Sequence, residues 1–268
     1  MLAWHFLREG GITREGHIVH AGETLHVDPP LRMCDHGLHA SRRLIDALGF
    51  APGPVLCRVR CSGEMIDAGR ELVCSTQEIL VMADVSRQLH EFACDEAERA
   101  LRASGVGDER CWRAIEVMRA WLRGDATDED LSAARGSAYA VARAFACAAA
   151  DGSAYAAARA FACAAAEGSA HADARDAARD AGDAAWANAA ATAWDAAWDA
   201  AQTAAWDAAW DAGDAERAAL ATAWATAWDA ERAAERAEQD ARLESLVVPV
   251  LGMESGVEGA ERREEGSR

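Results

Sequence analysis

The chain reads as an α+β protein: a small amino-terminal domain of mixed strand and helix, followed by an all-α, alanine-rich helical array. Three observations predict this. Residues 1–85 hold four of the five prolines, six of the eight histidines and short alternating apolar runs. From Ser86 onward the apolar residues recur at helical spacing. Beyond residue 135 the chain is built of internal repeats in which alanine carries the apolar content. The expected organisation is therefore a domain over 1–85, a helical repeat region over 86–247, and a disordered acidic tail over 248–268.

In the first segment, "WHFL" and "HIVHAGETLHV" read as strands around turns. "PVLCRVRC" alternates, with Cys57, Val59 and Cys61 on one face and Arg58 and Arg60 on the other, the pattern of a half-buried strand that Gly63 then turns. "ELVCSTQEILVMAD" supplies further strand. Between these, "SRRLIDALGF" predicts a short helix with Ser41 as N-cap and Gly49 as its stop.

In the second segment, "SRQLHEFACDEAERALRAS" places Leu89, Phe92, Ala93, Ala97 and Leu101 on one stripe. Asp108 caps the next helix, where Trp112, Ile115, Met118, Trp121 and Leu122 share a face and Gly124 ends it. Thr127, followed three residues on by Asp130, forms a variant of the capping box.

"GSAYAVARAFACAAAD" (136–151) recurs as "GSAYAAARAFACAAAE" (152–167) and, decayed, as "GSAHADARDAARDAGD" (168–183). A period of 16 overshoots whole α-helical turns by about 160°. Either the Gly-Ser pairs stop one helix and start the next, or a continuous helix is packed on both sides. The stop-and-start order of Gly and Ser favours breaks. A second period, of 12, places Trp194 and Trp198, then Trp206 and Trp210, as i,i+4 pairs; Trp224 and Trp228 repeat the spacing. These six tryptophans are the candidate packing or interaction residues. Alanine removes little surface from water, so the large rings must supply the burial, within the chain or against a protein partner, with self-association a further expectation.

The net charge is −18, and residues 136–268 carry 11 arginines against 23 acids. That balance excludes direct nucleic-acid binding as the leading class, because phosphate contacts need positive charge. It allows two other readings, a solvated face or an acidic helical mimic of DNA acting on a nucleic-acid-binding protein. The opening "MLAWHFLREGG" turns polar after seven residues and does not read as a signal peptide. No run reaches membrane-spanning length. The expected compartment is the cytoplasm of a bacterial host, with the eight cysteines as reduced, small buried hydrophobes.

Chemistry concentrates in "RMCDHGLHAS" (32–41). Cys34, His36 and His39 sit close together, but Cys-x-His-x-x-His is not a zinc spacing, and neither a metal nor another cofactor is expected. His39, Ser41 and Asp46 are too generic a set to define a nucleophilic triad. There is no phosphate-binding glycine loop.

The stretch from Arg32 to Asp67 resembles a family of uncharacterised domains found in phage and prophage genomes. Cys34, Gly37, Leu38, His39, Ala40, Ser41, Ala51, Pro52, Gly53 and Gly63 match its pattern, and Phe50 stands where the family has tyrosine. The likeness spans roughly residues 3–84. "DERCWRAIEVMRAWLRG" and the helices after it are similar to immunity proteins, although this chain has Asp at "AAWDAAWDA" where similar chains have Arg. The family implies no established activity. The resemblance therefore implies a phage accessory protein, a non-enzymatic protein–protein interaction module. The strand-borne "GLH" also resembles ADP-ribosyltransferase-like folds. That likeness implies an enzyme using a His39 cleft, with His5 and His39 as catalytic candidates and Glu64 or Glu71 as the acid.

Overall fold

The computed structural model describes residues 1–103, 108–134, 137, 230 and 232–253. The repeats at 136–183 and the six tryptophans of 194–228 lie outside the described residues, apart from Ser137. So do residues 254–268 of the expected tail.

The amino-terminal part is an antiparallel sheet with helices, an α+β arrangement. Its strands are β1 (Leu2–Leu7), β2 (Thr24–His26), β3 (Leu38–Ala40), β4 (Val55–Asp67) and β5 (Leu72–Asp84), with helix α1 (Leu44–Gly49) between β3 and β4. β4 and β5 form a long hairpin at the centre. β1 lies along β4, while β2 and β3 both pair with β5. Beyond β3, Ser41 exchanges both backbone hydrogen bonds with Trp4 (2.8 and 2.9 Å), so the sheet curls back onto β1.

The strand pattern follows from alternation, with one correction. Cys57, Val59 and Cys61 are fully buried and share a core with Ala3, Leu7, Val19, Leu72, Cys74 and Ile79. Arg60 is exposed as expected, but Arg58 is 6% exposed, because its guanidinium lies 4.2 Å over the Trp4 ring. β4 is therefore covered on both faces here; cation–π stacking and the apolar stem make a buried arginine tolerable. Gly63 does not end the strand. At φ 77° it sits within a register shift between Ser62 and Met65, and β4 runs on to Asp67. In "HIVHAGETLHV" only Thr24–His26 is a strand. Ile18 bridges Ile12 instead, between the positive-φ turns at Gly16 and Gly22.

α1 forms where expected, but Ser41 is not its cap. The N-cap is Arg43, which makes no side-chain cap bond. The carboxylate of Asp240 takes that role, accepting from the Ile45 N–H at 2.7 Å. Ser41 is spent on the bridge to Trp4.

Two compact units are found. The described parts of the first are residues 1–92 and 239–253; those of the second lie within 93–137 and 230–238. In the first unit, residues 239–247 are helical and bury Leu243 and Val247. Residues 248–253 turn and bury Leu251.

Helix α2 (Ser86–Ala103) buries Leu89, Phe92, Ala93, Ala97 and Leu101, the expected stripe. Helix α3 (Glu109–Arg123) buries Cys111, Ala114, Ile115 and Met118, so its buried face is rotated from the expected one and Trp112 and Trp121 are only half-buried. The Trp121 indole N–H donates to Asp128 at 2.7 Å, an outlet that full burial would have to replace. The local punctuation matches the residues. Asp108 accepts from the Arg110 N–H, and Gly124 caps in the left-handed region. Thr127 and Asp130 bond reciprocally at 3.0 and 3.1 Å. In the second unit, Arg99 forks onto Glu235 at 2.8 and 2.5 Å and reaches fully buried Glu96 at 2.9 Å. Among the described residues no helix is long and apolar enough to cross a membrane.

Candidate functional site

The first unit contains a cavity of about 500 Å³. β1 contributes Trp4 to Leu7, with Arg8 just beyond its end. The 13–15 turn, the loop carrying Cys34, strand β3, Phe50 and Glu71 add to the lining, together with Leu25, Ser41, Ala47, Pro52 and Gln77.

Backbone geometry delivers the "CDHGLHAS" stretch to this cavity. Arg32 and His36 pair across a tight turn (2.8 and 3.0 Å), with Cys34 at its tip in the left-handed region, φ 61°. Gly37 follows at φ 137°. A Cβ there would lie 2.2 Å from the Val73 side chain, so only glycine lets β3 dock on β5. The register then sets His39 opposite Val73 and Ala40 opposite Leu72, which brings Glu71, at the end of the β4–β5 turn, beside His39. The two are 32 positions apart in sequence and meet only through this pairing.

Three side chains form one connected cluster. The Cys34 backbone N–H donates to His39 Nε2 at 3.2 Å, which leaves the ring proton on Nδ1. The Cys34 thiol donates to Glu71 Oε2 at 3.4 Å. Glu71 Oε1 stands 3.8 Å from His39 Nε2, beyond hydrogen-bond length. Glu71 keeps only 15% of its side chain exposed, and His39 keeps 30%. The hydrogen bond to Glu71 and that carboxylate's charge hold the Cys34 thiol above its ordinary pKa, so it rests protonated and is a poor nucleophile as it stands.

His5 enters the same cavity from β1. Burial pushes its pKa down to about 4, and a hydrogen bond with the backbone of His39 opposes the shift. His5 is therefore a neutral imidazole near pH 7. The site holds two imidazoles and one nearly buried carboxylate, a set able to donate, accept and face a developing positive charge.

Of the sequence candidates, Cys34, Gly37, Leu38, His39, Ala40, Ser41, His5 and Glu71 all line the cavity. Glu64 does not; it is exposed on β4, its backbone N–H bonded to Ser75 Oγ at 2.9 Å. Trp194, Trp198, Trp206, Trp210, Trp224 and Trp228 lie outside the described residues. Among the described residues no group of three His, Cys, Asp or Glu side chains is placed to hold a metal ion. Arg8, Arg14, Glu15 and Gln77 also line the cavity, and sequence reasoning did not single them out. In a chain whose 27 positive residues are all arginine, nothing marks these two as different. Comparison with family models, curated proteins and solved structures gives no match.

Proposed function

We propose that the amino-terminal domain is a group transferase of ADP-ribosyl type, which uses the His39 cleft to take a nicotinamide dinucleotide. The observation that supports it is the convergence of His5, His39 and Glu71 in one cavity of about 500 Å³, large enough for part of such a ligand. In this reading the bond between the ribose C1′ and the nicotinamide nitrogen breaks, and its electron pair leaves with the ring. The ribose passes through an oxocarbenium-like state that the Glu71 carboxylate faces. An acceptor hydroxyl or water then forms the new bond to C1′ and gives up its proton to the solvent. His39 Nδ1–H and the neutral His5 ring hold the sugar or its phosphates by hydrogen bonds.

The test is release of nicotinamide from NAD by the full chain, followed by chromatography, beside the variants His39→Ala and Glu71→Gln. Turnover by the parent should fall on the order of 10²–10³-fold in each variant, the size seen when one transition-state stabilising group is removed. A parent protein that releases no nicotinamide from NAD rules the reading out.

The tryptophan-bearing stretch 194–228 has a different part in this proposal: it binds a protein partner in a phage or prophage setting. Affinity capture from host lysate, with Trp206→Ala/Trp210→Ala as control, tests it. Loss of one stoichiometric partner in that variant is the expected result.

A further inference from the structure

We infer that Arg8 and Arg14 form an anion subsite of the cleft, for a phosphate ester and specifically the diphosphate of a dinucleotide. The first unit, over residues 1–92, carries nine arginines. Arg32, Arg42, Arg43, Arg60, Arg70 and Arg87 each lie within 4 Å of a carboxylate. Arg58 lies over Trp4. The two that remain are Arg8 and Arg14. Neither has an ion pair or side-chain hydrogen bond among the described residues, and both line the cavity. In a chain of net charge −18, carboxylates are abundant, so two unclaimed arginines lining one cavity are an exception.

Their backbones are fixed while their side chains are free. Arg8 exchanges hydrogen bonds with Ile12 at 3.0 and 3.4 Å. Gly53 packs so closely on it that a Cβ would lie 2.5 Å from Arg8 Cα. Arg14 sits in a turn closed by Thr13 N–H to His17 O at 2.8 Å and Gly16 N–H to Thr13 O at 3.1 Å. Planar guanidinium forks anchored in this way match phosphate oxygens and need no partner broken before they bind. Glu15, which also lines the cavity, adds a negative group beside them.

The diphosphate assignment rests on the transferase reading, but the anion subsite is tested separately from it. Calorimetry of the full chain with inorganic pyrophosphate and with ADP-ribose is run on the parent, Arg8→Ala, Arg14→Ala, the double variant and His39→Ala. Arg32→Ala serves as a surface control. Both arginines are exposed, so the variants should keep the parent's melting temperature. Affinity should fall about tenfold for each arginine removed, with Arg32→Ala unchanged. Pyrophosphate and ADP-ribose binding that disappears in the double variant but survives in His39→Ala, without nicotinamide release by the parent, supports the subsite while the transferase reading fails. A parent that binds neither probe, or a double variant that binds both as the parent does, overturns the subsite. So does NAD turnover with unchanged KM in the double variant, and the transferase reading then stands.

Discussion

Asp240→Ala tests whether the chain caps α1 from a position almost two hundred residues away. Two interactions are lost. The first is the 2.7 Å bond that the Ile45 N–H donates to Asp240 Oδ1. A carboxylate at a helix N-terminus satisfies an orphan donor and complements the helix dipole, and such a cap contributes about 1.5 kcal/mol. The second is the approach of Arg43 to Asp240 at 3.6 Å. Arg43 is 38% exposed, so that contact adds only about 0.3 kcal/mol. The expected loss is about 2 kcal/mol, which lowers the melting temperature of a domain of this size by about 4–8 °C. Scanning calorimetry and urea unfolding of the full chain measure it. Asp240→Asn keeps an acceptor and should recover about half of the loss. Arg43→Ala alone should change little. An Asp240→Ala protein that melts within 1 °C of the parent would refute the capping argument. A loss equal in Asp240→Asn and Asp240→Ala would mean that the charge, not the hydrogen bond, carries the effect.

Further expectations follow from the same geometry. His5 has its pKa lowered from 6.5 to about 4, so the unfolded chain binds the extra proton first. Its contribution to stability is complete above pH 6.5 and is lost as pH falls toward 4, and His5→Gln should flatten that slope in urea unfolding. An imidazole titration by NMR with a midpoint for His5 near 6.5 would contradict this. Gly37→Ala combines φ 137° with a Cβ 2.2 Å from Val73 and should cost about 3 kcal/mol, read from the denaturation midpoint; an unchanged midpoint would show that β3 has room to shift. Arg99→Ala removes the cation between Glu96 and Glu235 and should cost about 3 kcal/mol. Arg99→Lys, which keeps the charge without the fork, should restore part of the loss, and full restoration would show that bidentate geometry is unimportant.

What could be read from the residues was what local rules govern. Asp108, Gly124 and the Thr127–Asp130 pair each act within three or four positions, and their chemistry is visible in a short window. Burial on β4 was legible at Cys57, Val59 and Cys61 for the same reason. Arg58 broke the alternation because Trp4, on another strand, covers it, and no period along β4 encodes that neighbour. Ser41 carried the right chemistry for a cap, but a long-range bridge to Trp4 claimed its backbone. The site divides similarly. "CDHGLHAS" drew attention to itself, and His5 and Glu71 were among the candidates. Choosing Glu71 over Glu64 required the register of β3 on β5. Arg8 and Arg14 stand out only through what every other arginine of the unit is doing, which no single stretch of sequence contains.

The first unit is discontinuous, and this bears on its synthesis. Asp240, Leu243, Val247 and Leu251 belong to the same compact body as β1, yet they are translated after the whole of residues 93–238. At a translation rate of about 5–20 residues per second, the nascent sheet waits roughly 7–30 seconds for them. During that interval the α1 terminus lacks its carboxylate, and the surface those side chains later cover is open to water. The ribosome-bound chain thus passes through a period with the strands already made and the segment that caps α1 still absent. In that period a holding chaperone, or premature pairing with another copy, would find its opening.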